Sequence, residues 1–103
     1  MSKLYINEFS NLAKDSTGAT LPVPLAVETG GLNQVITIGA TSLASARLND
    51  NTTFVRVLSD VNCFVAYGTN PTATNSSFRL IASRPEIFGV QAGRGMKIAV
   101  ING

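Results

Sequence analysis

Residues 54–68, FVRVLSDVNCFVAYG, contain two short apolar runs that are separated by a polar turn. In the first run Val55 and Val57 occupy alternate positions, which is the periodicity of a β-strand. The second run, residues 63–67, is rich in the β-branched and aromatic residues that strands favour, and Asp60 marks the turn before it. The stretch predicts two strands, each with one face in a core.

The opposite faces of these two strands are not polar. If the two valines point inward, Phe54 and Leu58 point outward together with Arg56, and residues 63–67 leave apolar side chains on either face. A two-layer monomer normally has polar outer faces, so this pattern indicates that something covers them. Neighbouring subunits are the economical candidate. The alternative is the scattered apolar surface that monomers also carry.

The same pattern extends over most of the chain. From residue 34 onward, short β-branched and aromatic runs alternate with Gly, Asn, Asp and Pro, which is typical of strands joined by turns. The predicted strands cover residues 34–38, 42–48, 54–59, 63–67, 78–81, 86–90 and 96–101. This spacing in a chain of 103 residues predicts one all-β domain, a small antiparallel β-sandwich or a jelly-roll-like domain.

The beginning of the chain follows a different pattern. A short extended piece at residues 4–9 precedes a weakly patterned stretch in which Pro22 and Pro24 impose an extended path. We therefore expect an extended N-terminal arm at residues 1–32 that carries little core, followed by the β-sandwich domain at residues 33–103. Such an arm either frays in the free protein or lies on a partner, where added strands contribute backbone hydrogen bonds.

Composition argues against several classes of partner. The eight lysines and arginines are spread along the chain, without the clusters that neutralise phosphates, so we expect no nucleic-acid partner. No window approaches the roughly 20 apolar residues of a membrane helix, so we expect no membrane span. The start, MSKLYINEFSN, lacks a basic and then apolar leader, so we expect cytoplasmic synthesis without a secretion signal. Cys63 is the single cysteine and is expected to be a buried thiol.

The sequence offers few residues for catalysis. It has no histidine, which removes Ser-His and Cys-His pairs, most zinc sites and the usual general base near neutral pH. Its six acidic residues are well separated, so no calcium loop or carboxylate pair is visible. Gly93-Arg94-Gly95 lacks the third glycine or the Lys-Ser/Thr of a phosphate-binding loop. We expect a protein that is not an enzyme, with no catalytic, cofactor-binding or metal site and no small-molecule substrate.

Three features keep alternatives open. Asp15-Ser16-Thr17-Gly18 is similar to the Asp-Thr-Gly turn of a dimeric aspartic protease but has one residue more. The segment is therefore either a catalytic turn of that kind or a simple polar turn. A small carbohydrate-binding module would need exposed aromatic platforms, whereas the chain has no tryptophan and only Tyr5 and Tyr67 as tyrosines. The loop at residues 68–77, GTNPTATNSS, is either a contact site or a polar crossover between sheets.

Residues 54–101 resemble small proteins encoded among the virion structural genes of tailed bacteriophages. The shared pattern is VR-x-x-x-D, a Cys-containing strand that ends in an aromatic residue and Gly68, then NPTAT, PE-x-F and a closing KIAVI. The preceding TIGATSLASARL and the initial LYINEF are similar as well, so the resemblance covers most of the chain.

The resemblance implies a capsid decoration or cement protein whose β-domain trimerises on the outer shell while its arm spreads across neighbouring subunits. Its partners would be the major capsid protein and copies of itself, as a homotrimer, and its location would be the capsid surface of the virion. Such a protein stabilises a shell under internal DNA pressure by burying surface between subunits, and many weak copies act together. The alternative is a head-to-tail connector or a tail component of the same virion.

The residues expected at these interfaces come from the arm and from the apolar outer faces. They are Leu4, Tyr5, Ile6, Phe9, Leu12, Pro22, Pro24, Phe54, Arg56, Leu58 and Phe64. The sequence leaves open which surface contacts the shell and which contacts other copies.

Overall fold

Val55 and Val57 lie fully buried between two four-stranded antiparallel sheets. The computed structural model describes residues 2–24 and 33–103, and every regular element in those residues is a β-strand. The small all-β sandwich predicted from the sequence is therefore confirmed. Nothing in these two described ranges forms a helix that could span a membrane. The strands are β1 Lys3–Phe9, β2 Leu12–Lys14, β3 Thr20–Pro24, β4 Asn33–Thr37, β5 Leu43–Ala44, β6 Phe54–Ser59, β7 Cys63–Gly68, β8 Phe78–Leu80, β9 Glu86–Gly89 and β10 Lys97–Asn102.

The strands pair in the nested order of a jelly roll. The first sheet has the order β4-β1-β6-β9, the second sheet has the order β5-β10-β7-β8, and β2 and β3 form a separate hairpin. The pairs β7–β8, β6–β9 and β5–β10 enclose one another along the chain, as in one antiparallel ribbon rolled into two sheets. β1 pairs with β4 and completes a fourth pair from the start of the chain.

The core lies between the inward faces of the two sheets. Alternate residues of β1, β6, β7 and β10 and one residue of β8 supply its buried members, and the connections after β4 and β5 add one side chain each. Its buried members are Leu4, Ile6, Ile38, Leu48, Val55, Val57, Cys63, Val65, Leu80, Ile98 and Val100. Burying each of the larger side chains stabilises the fold by roughly 1.5–3 kcal/mol before entropy is subtracted.

The N-terminal strand is part of this core, so the expectation that residues 1–32 hold little core is wrong for β1. Leu4 and Ile6 are completely buried, and β1 lies between β4 and β6 in the middle of the first sheet. The sequence pattern indicated an extended segment here but concealed its place in the core, because its third inward position is occupied by a charged residue, Glu8. Residues 3–9 therefore belong to the sandwich and not to an arm.

Glu8 is tolerated in the interior because hydrogen bonds surround its carboxylate. Oε1 accepts the Asn49 amide at 2.7 Å and the Thr52 hydroxyl at 2.8 Å, while Oε2 accepts Gln34 Nε2 at 3.4 Å. A buried carboxylate is stable only with such donors. Glu8 therefore fixes the connection before β6 against β1.

The remaining strand predictions agree with the structure except one. Six of the seven predicted strands match observed strands to within one residue at either end. The predicted strand at 42–48 is reduced to β5, Leu43–Ala44. Beyond it the chain still follows β10, since the Ser45 and Leu48 amides donate to the carbonyls of Ile98 and Met96 at 2.7 and 2.8 Å. The two donors are three residues apart and their acceptors are two residues apart, so the regular hydrogen-bond ladder between β5 and β10 ends at Ala44.

Candidate interface on the outer face of the first sheet

The outer face of the first sheet, hereafter the outer face, carries an apolar row across three strands. Val35 of β4 lies opposite Tyr5 of β1, and Tyr5 lies opposite Leu58 of β6. Val35 is 55% exposed and Tyr5 is 38% exposed, although both are large and largely apolar. Cross-strand neighbours of this kind have Cβ atoms about 5 Å apart, so the three side chains form one continuous patch.

A row of polar side chains lies beside the apolar row, two residues away from it on each of the three strands. Asn7 lies opposite both Asn33 and Arg56, and Arg56 lies opposite Ile87 of β9. Asn7 Nδ2 donates to Asn33 Oδ1 at 2.9 Å, and the Arg56 guanidinium donates to Asn7 Oδ1 at 3.3 Å. These side chains are held in place before any partner binds. Ile87, 56% exposed, ends the row with an apolar side chain.

An aromatic pair closes the outer face at the far end of β1 and β6. The rings of Phe9 and Phe54 are opposite each other and stack, with centroids 5.5 Å apart and planes 18° apart. Beside this pair the hairpin forms a groove of ≈ 710 Å³. Its lining residues are Ser10, Asn11, Leu12, Lys14, Thr20, Thr53 and Phe54. The outer face thus continues from the sheet into the hairpin.

The outer surface of the second sheet differs in character. Phe64 lies opposite Arg79 and Ile101, and the Arg79 guanidinium covers the Phe64 ring at 5.4 Å from its centroid. A cation over an aromatic face is a favourable contact within the protein itself. Phe64 is therefore partly shielded, whereas the apolar row of the outer face is open.

A third apolar region lies where β8 and β9 form the free edges of the two sheets. The rings of Tyr67, Phe78 and Phe88 meet there with centroids 5.1 to 5.9 Å apart, and Phe78 is 59% exposed. The Tyr67 hydroxyl is buried and has no hydrogen-bond partner among the described residues. Burial raises the pKa of the Tyr67 phenol.

The structure separates the predicted interface residues into different groups. Leu4 and Ile6 are wholly buried in the core and cannot contact a partner, because they are the inward half of β1. The partly or well exposed members are Tyr5, Phe9, Leu12, Pro22, Phe54, Arg56, Leu58 and Phe64. The side chain of Pro24 lies outside the described residues.

Two residues of the outer face were missed by the sequence reasoning, Val35 and Ile87. Each occupies the outward phase of a strand that had been predicted, so the alternation that placed Phe54 and Leu58 outward could have found them. Register could not be read from the sequence. Only the observed strand pairing shows that Val35, Ile87, Phe54 and Leu58 share one surface.

Asp15 shapes the tip of the hairpin. Its Oδ1 accepts the Thr17 hydroxyl at 2.6 Å, the Thr17 amide at 2.9 Å and the Ala19 amide at 3.0 Å. The Thr17 hydroxyl, followed by the Thr17 and Ala19 amides, lowers the pKa of the Asp15 carboxyl below its ordinary value of 3.8. Gly18 completes the bend with a φ of 88°, a conformation that glycine adopts without strain. The Asp15 carboxylate is therefore engaged by hydrogen bonds within its own turn, at the tip of an exposed hairpin.

Two further sequence features can be placed. Cys63 is a free, buried thiol, as predicted, and burial raises its pKa. The loop at residues 68–77 joins β7 to β8, which are neighbours in the second sheet, so the alternative of a crossover between sheets is wrong. Ala73 in this loop is buried, and its amide donates to Ser42 Oγ at 2.9 Å. The loop is therefore fastened to the connection before β5.

Comparisons with protein-family models, with curated proteins and with solved structures find no match to this chain. Within residues 2–24 and 33–103, no three His, Cys, Asp or Glu side chains are grouped so that they could hold a metal ion. Among the surfaces described above, the outer face is the one on which exposed apolar side chains follow one another across neighbouring strands.

Proposed function

We propose that this chain is a structural protein of a tailed-bacteriophage virion that binds the outer capsid shell and stabilises it, as a decoration or cement protein does. The observation that carries the proposal is the apolar row Val35–Tyr5–Leu58 on the outer face. The resemblance of residues 54–101 to virion structural proteins supports a tailed-bacteriophage virion as the assembly that the chain joins.

The apolar row supports a role in packing because exposure of contiguous large side chains is costly to a monomer. A soluble sandwich usually keeps polar residues on its solvent side, and contiguous apolar patches mark surfaces that meet a partner. Tyr, Phe and Arg are also the residues enriched where interfaces are most strongly bound. All three types are present on the outer face, as Tyr5, Phe9, Phe54 and Arg56.

The proposed mechanism is mechanical. A bound copy buries surface that spans neighbouring shell subunits, so the shell cannot expand or lose a subunit without exposing that surface again. Self-association, as a homotrimer on the shell, would add avidity, because each copy holds its neighbours near their own sites. The proposal requires no chemistry and no cofactor.

Quantitative mass spectrometry of dissected virions tests the proposal. Virions of the phage that encodes the chain are purified and separated into heads and tails, and the ratio of this chain to the major capsid protein is measured in each fraction. The proposal predicts copies in the head fraction in fixed proportion to the shell subunits. Recovery of only a few copies per particle, or of copies in the tail fraction alone, would favour a connector or tail component. Absence from virions would overturn the proposal.

A further inference from the structure

Arg56 lies on an inner strand of the outer face, with apolar side chains on three sides and Asn7 on the fourth. Phe54 and Leu58 flank it on the same side of β6, and Ile87 lies opposite it on β9. Its guanidinium donates to Asn7 Oδ1, which is a neutral acceptor. A guanidinium has five donors, so most of its hydrogen-bonding capacity is available to a partner.

No carboxylate of the described chain neutralises Arg56. The ion pair found in residues 2–24 and 33–103 joins Arg47 to Asp50, elsewhere on the surface. Asp60 is further along the chain from β6 and accepts the Lys3 amide at 3.1 Å. Four residues of extended chain separate Asp60 from Arg56 by about 13 Å, beyond the reach of a salt bridge. Glu86 of β9 is nearer, since it lies opposite Val57, one position from the Arg56–Ile87 pair, but it belongs to the opposite phase of the strand and forms no ion pair with Arg56. The outer face therefore carries a cation that has no ion-pair partner among the described residues.

We propose that the outer face is the surface that docks on the shell, and that Arg56 receives a carboxylate of a shell subunit there. This inference rests on the proposed function and adds the face and the chemistry of the partner. Carboxylates match the planar fork of arginine in a bidentate pair, and apolar neighbours that exclude water strengthen such a pair. The partner surface would thus present an acidic side chain within an apolar surround.

The area of the outer face favours a shell subunit over a second copy of the chain. Without the hairpin, its four strands of four to seven residues cover about 350 Å² of flat surface, so the sheet surfaces of two copies would bury about 700 Å² together. Stable interfaces that form alone bury about 1,200–2,000 Å² in total. A face of this size suffices where many copies bind one lattice and reinforce each other.

Charge reversal at one position, with a matched reversal on the other sheet, tests the inference. The probe is shells purified from particles that lack this protein, and binding is measured by co-sedimentation of wild-type protein, Arg56→Glu and Arg79→Glu. Both variants change the net charge equally, and both replace an arginine that lies across from an aromatic or apolar neighbour on a sheet surface. We expect Arg56→Glu to bind at least about thirtyfold more weakly, and Arg79→Glu to stay within about threefold of wild type.

Each outcome decides a different question. If wild-type protein binds shells and the two variants bind alike, or Arg79→Glu loses binding instead, the docking inference fails while the proposed function stands. If wild-type protein does not bind shells, the proposed function itself fails. Circular dichroism and melting temperature confirm that the variants are folded, and Arg56→Gln serves in place of Arg56→Glu if that variant is unfolded.

Light scattering of the same proteins distinguishes a second copy from a shell partner. The inference predicts that Arg56→Glu leaves the oligomeric state in solution unchanged. If Arg56→Glu converts an oligomer to a monomer, another copy covers the outer face. That result would overturn the inference.

Discussion

The Thr52 hydroxyl donates a 2.8 Å hydrogen bond to the buried Glu8 carboxylate, and this contact joins the first strand to the connection that enters β6. Two segments that are 44 residues apart in sequence are thereby fixed together. Glu8 has the apolar row of the outer face on one side of its strand and the core on the other. The polar contact in the interior therefore helps to set the register on which the outer face depends.

Glu8→Ala should lower the free energy of unfolding by about 3 kcal/mol, because the Asn49 amide and the Thr52 hydroxyl would lose their acceptor inside the protein. Urea denaturation measures the change. Thr52→Val removes only one donor and should cost less, about 1 kcal/mol. A loss below about 0.5 kcal/mol for Glu8→Ala would show that water replaces the carboxylate freely.

Ile6→Ala should cost about 2–5 kcal/mol, because Ile6 is completely buried and its loss leaves a cavity in the core. Leu12→Ala, on the exposed hairpin, is the matched control and should change the free energy of unfolding by less than about 0.5 kcal/mol. Thermal or urea unfolding compares the two. Equal effects would mean that β1 behaves as a peripheral arm after all.

The hairpin tip should lose its turn in acid. The pKa of Asp15 is lowered in the fold, so its hydrogen bonds are fully present above pH 3.8 and are lost as the pH falls through the lower, folded value. Proton NMR should show the Thr17 and Ala19 amide resonances moving together over that range. In Asp15→Asn the oxygen acceptor is retained, but the acid transition at these two amides should disappear. Persistence of the transition would assign it to another group.

Tyr67→Phe should leave stability unchanged or raise it by up to about 1 kcal/mol. The hydroxyl is buried without a hydrogen-bond partner among the described residues, so its removal ends a desolvation cost while the ring contacts with Phe78 and Phe88 remain. Urea denaturation of the two proteins provides the comparison. A loss above about 1 kcal/mol would indicate that the hydroxyl has a partner in solution, such as a bound water.

The sequence predicted strands well where the period-two pattern was uninterrupted. β6 was placed at its observed bounds because Val55 and Val57 alternate cleanly with outward residues. β1 was misjudged because Glu8 occupies an inward position, and only the three-dimensional structure supplies its hydrogen-bond donors from Asn49 and Thr52. A buried charge with distant partners breaks the pattern on which such predictions depend.

The candidate site could be predicted only in part. Strand phase placed Arg56 and Leu58 on outward faces, as the structure has them, but Tyr5 was not separated from its inward neighbours Leu4 and Ile6. The rows themselves depend on long-range strand pairing, in which β1 lies between β4 and β6 and Val35 meets Tyr5 across 30 positions of sequence. Such long-range register follows from how the whole ribbon rolls up, and no local pattern encodes it.

A reconstruction of the virion by electron cryomicroscopy tests the central claim most directly, because it shows both where the chain lies and which sheet faces the shell. The account predicts density for this chain over the whole capsid surface, with Tyr5, Arg56 and Leu58 toward the shell and an acidic side chain of the shell subunit within hydrogen-bond distance of Arg56. Density at a single vertex or on the tail, or a chain that turns the outer face to solvent, would contradict it.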